Sequence, residues 1–315
     1  MGKKGKRAGK GGEFAKHGAG KARRERAVAM REIEAEIIAF VEKRKEELQD
    51  VDVFSPLSEK EDCPLCFLPE PISGDTGMYF ACCGKSICGG CVVRHRAAFR
   101  DFGRSPCPFC RTVCGYGEEV QLQRMEKRVA DNDADSTYHL AAAHSDGNFC
   151  CLSVDHVQGR KLFLQAGRLG NAQGIVRLGC LVEDGDGGPK NHEMAVRLYV
   201  LAAKLGCAPA HSHLGNISIK KEMYDEGVRH LSHAARGGHL PSLNVLIKHT
   251  YIDAVDWMSE EKLLEIEEAY NDATEDDWSE EREKAGGSPR RRIKDEDGRI
   301  LRFAGELPDG RKLYV

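Results

Sequence analysis

Between residues 24 and 50, Met30, Ile33, Ile37, Val41 and Leu48 recur at three- and four-residue or doubled spacings, with Glu, Lys and Arg filling the other positions. That period predicts an amphipathic helix, taken as the segment 27–50, and a stripe this narrow is expected to pack within the chain. From 60 to 115 large apolar residues become sparse, and the pattern resumes later as a repeat. Leu162-Phe163-Leu164-Gln165-Ala166-Gly167-Arg168-Leu169-Gly170 returns as Leu198-Tyr199-Val200-Leu201-Ala202-Ala203-Lys204-Leu205-Gly206 at an offset of 36 residues. Leu178-Gly179 and Leu214-Gly215 keep the same offset. A weaker copy, Ala234-Ala235-Arg236-Gly237-Gly238, follows Ala202–Gly206 by 32 residues, and Leu140-Ala141 opens an earlier unit.

Such a period predicts stacked helix pairs, a solenoid over 130–250. Gly170, Gly206 and Gly238 fall where helices must stop, and Asp184-Gly185-Asp186-Gly187-Gly188-Pro189 parts the two helices of one unit. Small residues such as Gly179, Ala202 and Ala203 permit close helix approach. Residues 251–285 are acidic, with Leu263, Ile266, Tyr270 and Ala273 on one helical face, and are expected to cap the solenoid's last apolar surface. In the tail, 286–315, Arg299–Phe303 and Leu313–Val315 are expected to form a hairpin across Pro308-Asp309-Gly310, too short to be stable alone.

The sparse stretch carries the chain's most specific chemistry. Its cysteines run Cys63-x2-Cys66, Cys82-Cys83, Cys88-x2-Cys91 and Cys107-x2-Cys110. A C-x2-C step lets two thiolates meet one tetrahedral zinc, and eight such ligands supply two closed structural sites. With so little apolar material, metal must hold this fold, and a structural zinc is worth about 10–16 kcal/mol in small finger peptides. Redox dithiol chemistry usually needs one such pair, so two zinc ions are the expectation.

Cys63-Pro64-Leu65-Cys66, Gly84-Lys85-Ser86-Ile87-Cys88-Gly89-Gly90-Cys91 and Cys107-Pro108-Phe109-Cys110-Arg111 resemble the knuckles of a RING-type zinc finger, over about 50 of the 315 residues. The resemblance implies a small α+β cross-brace in which the first and third pairs hold one zinc and the second and fourth the other. Cys63, Cys66, Cys88 and Cys91 would then form site one, and Cys82, Cys83, Cys107 and Cys110 site two. The family usually has Cys-x-His at the second pair, where this chain has Cys82-Cys83; Lys85 is a poor ligand and His95 the reserve candidate. By the same resemblance, Leu65 and Pro108 would dock a ubiquitin-conjugating enzyme and Arg111 would be a linchpin holding its charged ubiquitin. Catalysis of that kind is positioning, with no covalent intermediate on the chain. The structural reading of the same residues is that Leu65 and Pro108 shape the knuckles and Arg111 is a surface charge.

The repeats resemble Sel-one-like repeats, relatives of the tetratricopeptide repeat with a longer inter-helix loop. This implies protein binding, and no acid–base–nucleophile constellation stands in 134–285. His211, His213, His230, His233 and His239 lack a neighbouring thiolate or acid cluster and are expected to be surface or packing residues.

Composition and charge refine this picture. The chain has 315 residues and 41% hydrophobic content, enough for two or three domains with a real core. No apolar run is long enough to span a membrane and no secretory signal opens the chain. Nine of thirteen cysteines lie between Cys63 and Cys114, which fits reduced thiols in the cytoplasm or nucleus; Cys150, Cys151, Cys180 and Cys207 read as small buried apolar residues. A net charge of −3 hides ten Lys or Arg in residues 1–26 against Glu13 and Glu25, a glycine-rich segment expected to be a disordered tail. Basic Ser288-Pro289-Arg290-Arg291-Arg292 lies near the other end. Both clusters fit nuclear import or simple solubility, and nucleic-acid binding is the weaker reading, because Phe14 is the tail's one stacking residue.

The whole is expected to be a mostly α protein, a RING-like finger before a short solenoid. Its expected function is a ubiquitin-protein ligase whose repeats hold a protein substrate. The alternative is a zinc-stabilised adaptor that transfers nothing.

Overall fold

The 36-residue repeat takes physical form as antiparallel helix pairs of uniform length. A computed structural model describes residues 11–58, 62–67, 77–99, 106–113, 117–147 and 152–237, with short pieces at 239, 241–242, 245–246, 293–294, 300–301, 303–306 and 312–314. The pairs are α4 (Ala134–Asp146) with α5 (His156–Arg168), α6 (Ala172–Asp184) with α7 (His192–Lys204), and α8 (Ala208–Lys220) with α9 (Tyr224–Arg236). They follow α1 (Gly11–Glu47), β1 (Met78–Phe80), β2 (Lys85–Ile87), α2 (Gly89–Ala98) and α3 (Glu118–Ala130).

Each helix of the first two pairs starts on an Asp or Asn whose side chain accepts from the first turn. Asp133 takes the Ser136 N–H, Asp155 those of Val157 and Gln158, Asn171 that of Gly174 and Asn191 that of Met194. Such caps are worth about 1 kcal/mol each. Gly170 and Gly206 end α5 and α7 at φ of +98° and +77°, the left-handed geometry that spares glycine the Cβ penalty. Gly238 lies outside the described residues. The third pair lacks the first device, since α8 and α9 start on Cys207 and Met223 without a side-chain cap. Tight packing depends on Gly179, where a Cβ would stand 2.6 Å from Tyr199 Cε1.

The first helix is laid across the solenoid. Ile33, Ile37, Phe40 and Val41 are buried in the same core as Phe163, Leu164, Leu198 and Tyr199 of α5 and α7. Glu36 and Glu42 flank this stripe with ion pairs to Arg168 at 2.8 Å and Arg197 at 3.2 Å. Past Glu47 the chain continues as a strap toward the last pair. Lys204 Nζ donates to the Leu48 carbonyl at 2.9 Å, and Ser58 donates through N to Gly206 O and through Oγ to Leu205 O.

Two expectations need correction. The helix begins at Gly11 rather than near residue 27, so residues 11–26 are helical where a disordered tail was expected. Ala, Lys and Arg dominate 15–26 and are good helix formers, so a helix anchored by packing at Ile33 can propagate backwards through them. At the other end, Phe303–Glu306 (β5) pairs antiparallel with Lys312–Tyr314 (β6), but Ile300–Leu301 (β4) pairs with Ile293–Lys294 (β3) instead. Asp297-Gly298 between β3 and β4 is itself a strong hairpin turn signal. The acidic segment 251–285 and the basic cluster 288–292 lie outside the described residues, as do residues 1–10.

Candidate metal centres

The finger is assembled from a hairpin, a helix and two tight knuckles. β1 and β2 pair Met78 with Ile87, Tyr79 with Ser86 and Phe80 with Lys85, which places Cys82 and Cys83 in the connecting turn. Cys88 follows β2 and Cys91 lies in the first turn of α2. The knuckles share one geometry. Phe67 N donates to Cys63 O at 2.8 Å, and Arg111 N donates to Cys107 O at 3.0 Å. In each, the residue after the second cysteine is left-handed, Phe67 at φ +58° and Arg111 at +60°. Among the described residues, Phe80, Ile87 and Val92 join the cysteines in this segment's buried core, with Met78 and Phe109 packed beside it.

This chain path gathers the thiols into two groups. Cys63, Cys66, Cys88 and Cys91 form one, Cys82, Cys83, Cys107 and Cys110 the other, and the sulfurs of each lie within 4.8 Å of one another. Cys66 and Cys88 sulfurs are 3.7 Å apart, Cys83 and Cys107 3.6 Å, and Cys82 and Cys110 3.4 Å. A tetrahedron with Zn–S bonds of about 2.3 Å has S···S edges of about 3.8 Å, so the donor set fits a tetrahedral metal. All eight are free thiols. Each cluster can hold a metal ion.

Electrostatics point the same way. Burial, reinforced by the neighbouring thiols, pushes Cys83 up to about 11 and Cys82 and Cys91 further still. Burial also works upward on Cys63, but backbone N–H donors from Cys88, Leu65 and Cys66 outweigh it and hold that thiol at about 7. Exposed Cys110 is brought down to about 6 by the Thr112 hydroxyl and backbone N–H. Four thiolates side by side repel unless a cation lies among them, and a divalent ion removes that repulsion. His95 stands apart from both clusters, edge-on to Phe80 at 6.0 Å and tilted against Phe99 at 5.2 Å. Lys85 sits over the Phe109 ring at 5.0 Å.

Leu65 is 38% exposed and Phe67 76%, Pro108 is half-buried, and Arg111 is exposed. The first knuckle thus exposes apolar side chains and the second a cation. Cys207 is buried and Cys180 half-buried, while Cys114, Cys150 and Cys151 lie outside the described residues.

The histidines of the last pair, expected to be surface or packing residues, pack against one another and against the strap. His211 and His230 are buried with their Nδ1 atoms 2.9 Å apart. Phe54 of the strap stacks on His230 at 4.7 Å and meets His233 edge-on at 5.7 Å. They are packing residues, and among the described residues they form no metal-binding group.

The Sel1 repeat family matches at residues 134–171 and 172–207, the α4–α5 and α6–α7 units. These two units are Sel1 repeats. Repeats of this kind serve protein–protein interaction. No curated protein matches the chain. Among solved structures, a Sel1 repeat protein from Oxalobacter formigenes is 15% identical at a TM-score of 0.44, covering 59% of this chain and 71% of its own. The protective antigen c5321 of uropathogenic Escherichia coli, with an SLR fold, is 22% identical at 0.42, over 50% of this chain and 34% of its own. Immunity protein Pa5087 of Pseudomonas aeruginosa is 17% identical at 0.38, over 57% and 64%.

Proposed function

We propose that the chain is a RING-like ubiquitin-protein ligase: zinc holds the finger, the finger receives a charged ubiquitin-conjugating enzyme, and the repeats hold a protein substrate. The observation that carries this reading is the interleaving of the two thiol clusters. Cys63 and Cys66 group with Cys88 and Cys91, while Cys82 and Cys83, which lie between them in sequence, group with Cys107 and Cys110. Interleaving fixes the two knuckles relative to each other, so Leu65, Pro108 and Arg111 can act as one surface. In this reading Leu65 and Pro108 receive the conjugating enzyme. Arg111, with its planar fork, steadies the thioester-linked ubiquitin, and the rate gain comes from orientation. The site of action is a reducing compartment, cytoplasm or nucleus, where the thiols stay available to metal.

A second reading is an adaptor that binds proteins through finger and repeats and transfers nothing, favoured by the interaction role of the matched repeats. Autoubiquitination against a panel of conjugating enzymes separates the two. Activating enzyme, ubiquitin, ATP and the zinc-loaded chain should yield conjugates with at least one conjugating enzyme. A zinc-loaded chain silent with all of them leaves the adaptor.

A further inference from the structure

We propose that the finger is the N-terminal cap of the solenoid, latched to it by Tyr79, so that metal in the finger stabilises the repeats. The proposal rests on the metal-centre reading above and extends it to the helices.

Alternation along β1 sets up the contact. Phe80 turns into the finger's buried core with Ile87 and Val92, so Tyr79 between Met78 and Phe80 points to the opposite side. There its ring stacks on His139 of α4, with centroids 4.1 Å apart and planes 25° apart. Its hydroxyl hydrogen-bonds Ser136 Oγ, which is fully buried in the first turn of the same helix. Ser136 Oγ also accepts from Arg128 Nε at 3.1 Å, and the Arg128 guanidinium pairs with Asp133, the residue capping α4. Arg128 in turn occupies the space left by Gly84, which sits in the hairpin turn at φ +71°; a side chain there would collide with the guanidinium. The first turn of the first repeat helix is thus completed by Tyr79 from the hairpin and by Arg128 of α3, which the hairpin's Gly84 makes room for.

The hairpin cannot hold this position by itself. It has three residue pairs, and an isolated two-stranded hairpin is marginal in water. Cys82 and Cys83 in its turn and Cys88 just beyond β2 tie it to both thiol clusters. Metal therefore fixes the hairpin, the hairpin places Tyr79, and Tyr79 covers Ser136 and His139. A solenoid needs its end units covered, because an outer repeat exposes the face its neighbours would bury. A partner held on the repeats would accordingly stand at a fixed position relative to the finger only while the finger is loaded.

The test uses the full chain, with zinc counted by elemental analysis and unfolding followed by helical circular dichroism before and after chelation. The parent's helical transition should fall by several degrees when zinc is removed. His139→Ala lies on the solenoid and belongs to neither thiol cluster. It should keep the parent's zinc content, unfold at a lower temperature when loaded, and lose most of the zinc-dependent shift. Tyr79→Phe keeps the ring and drops the hydroxyl, so it should retain zinc and show a reduced shift, which carries the test should His139→Ala not fold. A parent that binds two zinc ions yet unfolds at the same temperature with and without them overturns the cap. So do variants that keep the parent's full shift. A chain that binds no zinc overturns the metal centres and the cap together.

Discussion

Arg160 Nε donates to the backbone carbonyl of Asp186 at 2.6 Å from inside α5, although the two residues belong to different repeat units. The same guanidinium donates to Leu181 O at 2.7 Å, and the side chain is 1% exposed. It fastens the Asp184–Pro189 loop to the preceding pair, and Gly188 packs against it where a Cβ would collide. Burial lowers its readiness to carry charge, against the opposing pull of the Glu34 and Asp186 carboxylates. Arg160→Met should cost about 1–2 kcal/mol, because it removes the donor to the part-buried Asp186 carbonyl and one of three donors to Leu181 O, which keeps the N–H groups of Gly185 and Asp186. Arg160→Lys should recover part of that, since one ammonium lacks the fork that reaches both. Urea titration of the three proteins would rank them; equal midpoints would refute the fastening role.

The thiol clusters predict a stoichiometry. Purified chain should carry two zinc ions, one for each four-sulfur group. Cys83→Ser should reduce the count to about one, by weakening the second group while leaving Cys63, Cys66, Cys88 and Cys91 intact. Because ligands bind as thiolates, zinc should also be released as pH falls, with protons taken up in exchange. A count of two in the Cys83→Ser protein would show that the second site has another composition.

Separating docking from activation needs two substitutions on exposed residues. Arg111→Ala should slow ubiquitin discharge from the conjugating enzyme by at least about tenfold, the kinetic equivalent of about 1.4 kcal/mol of positioning energy. Zinc content should not change, since what the knuckle uses at this residue is its backbone N–H to Cys107 O. Leu65→Ala should instead weaken binding of the conjugating enzyme in a direct titration. Discharge and binding that are unaltered in both proteins would remove the ligase reading.

Much of this was legible in one sequence. Cysteine spacing marked the two thiol groups, and the offset from Leu162 to Leu198 marked the helix pairs. The Ile33–Ile37–Val41 stripe marked the packed face of α1. The capping residues were equally visible in the chain and follow the repeat, Asp155 and Asn191 standing 36 residues apart and Asp133 and Asn171 38. What sequence could not reveal were partners brought together over long separations. Arg160 looks like an ordinary polar helix residue until the Asp186 carbonyl is placed above it. His211 and His230 look isolated because Phe54, which covers them, comes from the strap far earlier in the chain. The hairpin face of Tyr79 is likewise silent without α4 beside it.

That strap pocket gives the chain a pH dependence. Burial, with charge from neighbouring histidines and Arg229 added, depresses His211 to about 3 and His230 to about 4 from an ordinary 6.5. Phe54 lies on His230, and Arg229 lies 3.8 Å from the Phe54 ring centre. Glu226 stands 4.0 Å from His230 Nε2, and His233 Nε2 lies 3.1 Å from Ser55 O with Arg236 and Asp52 nearby. Both histidines are thus held neutral in the fold and protonate more readily when unfolded. The stability they contribute is complete above about pH 6.5 and is lost as pH falls toward 4, because the unfolded chain then binds more protons. Zinc release contributes to the same acid loss, so the comparison must be with a variant that shares the finger. His211→Gln removes one titrating group and leaves every thiol in place. Its urea midpoint should decline less steeply between pH 6.5 and 4 than the parent's, and superimposable pH profiles would mean the pocket does not hold these histidines neutral.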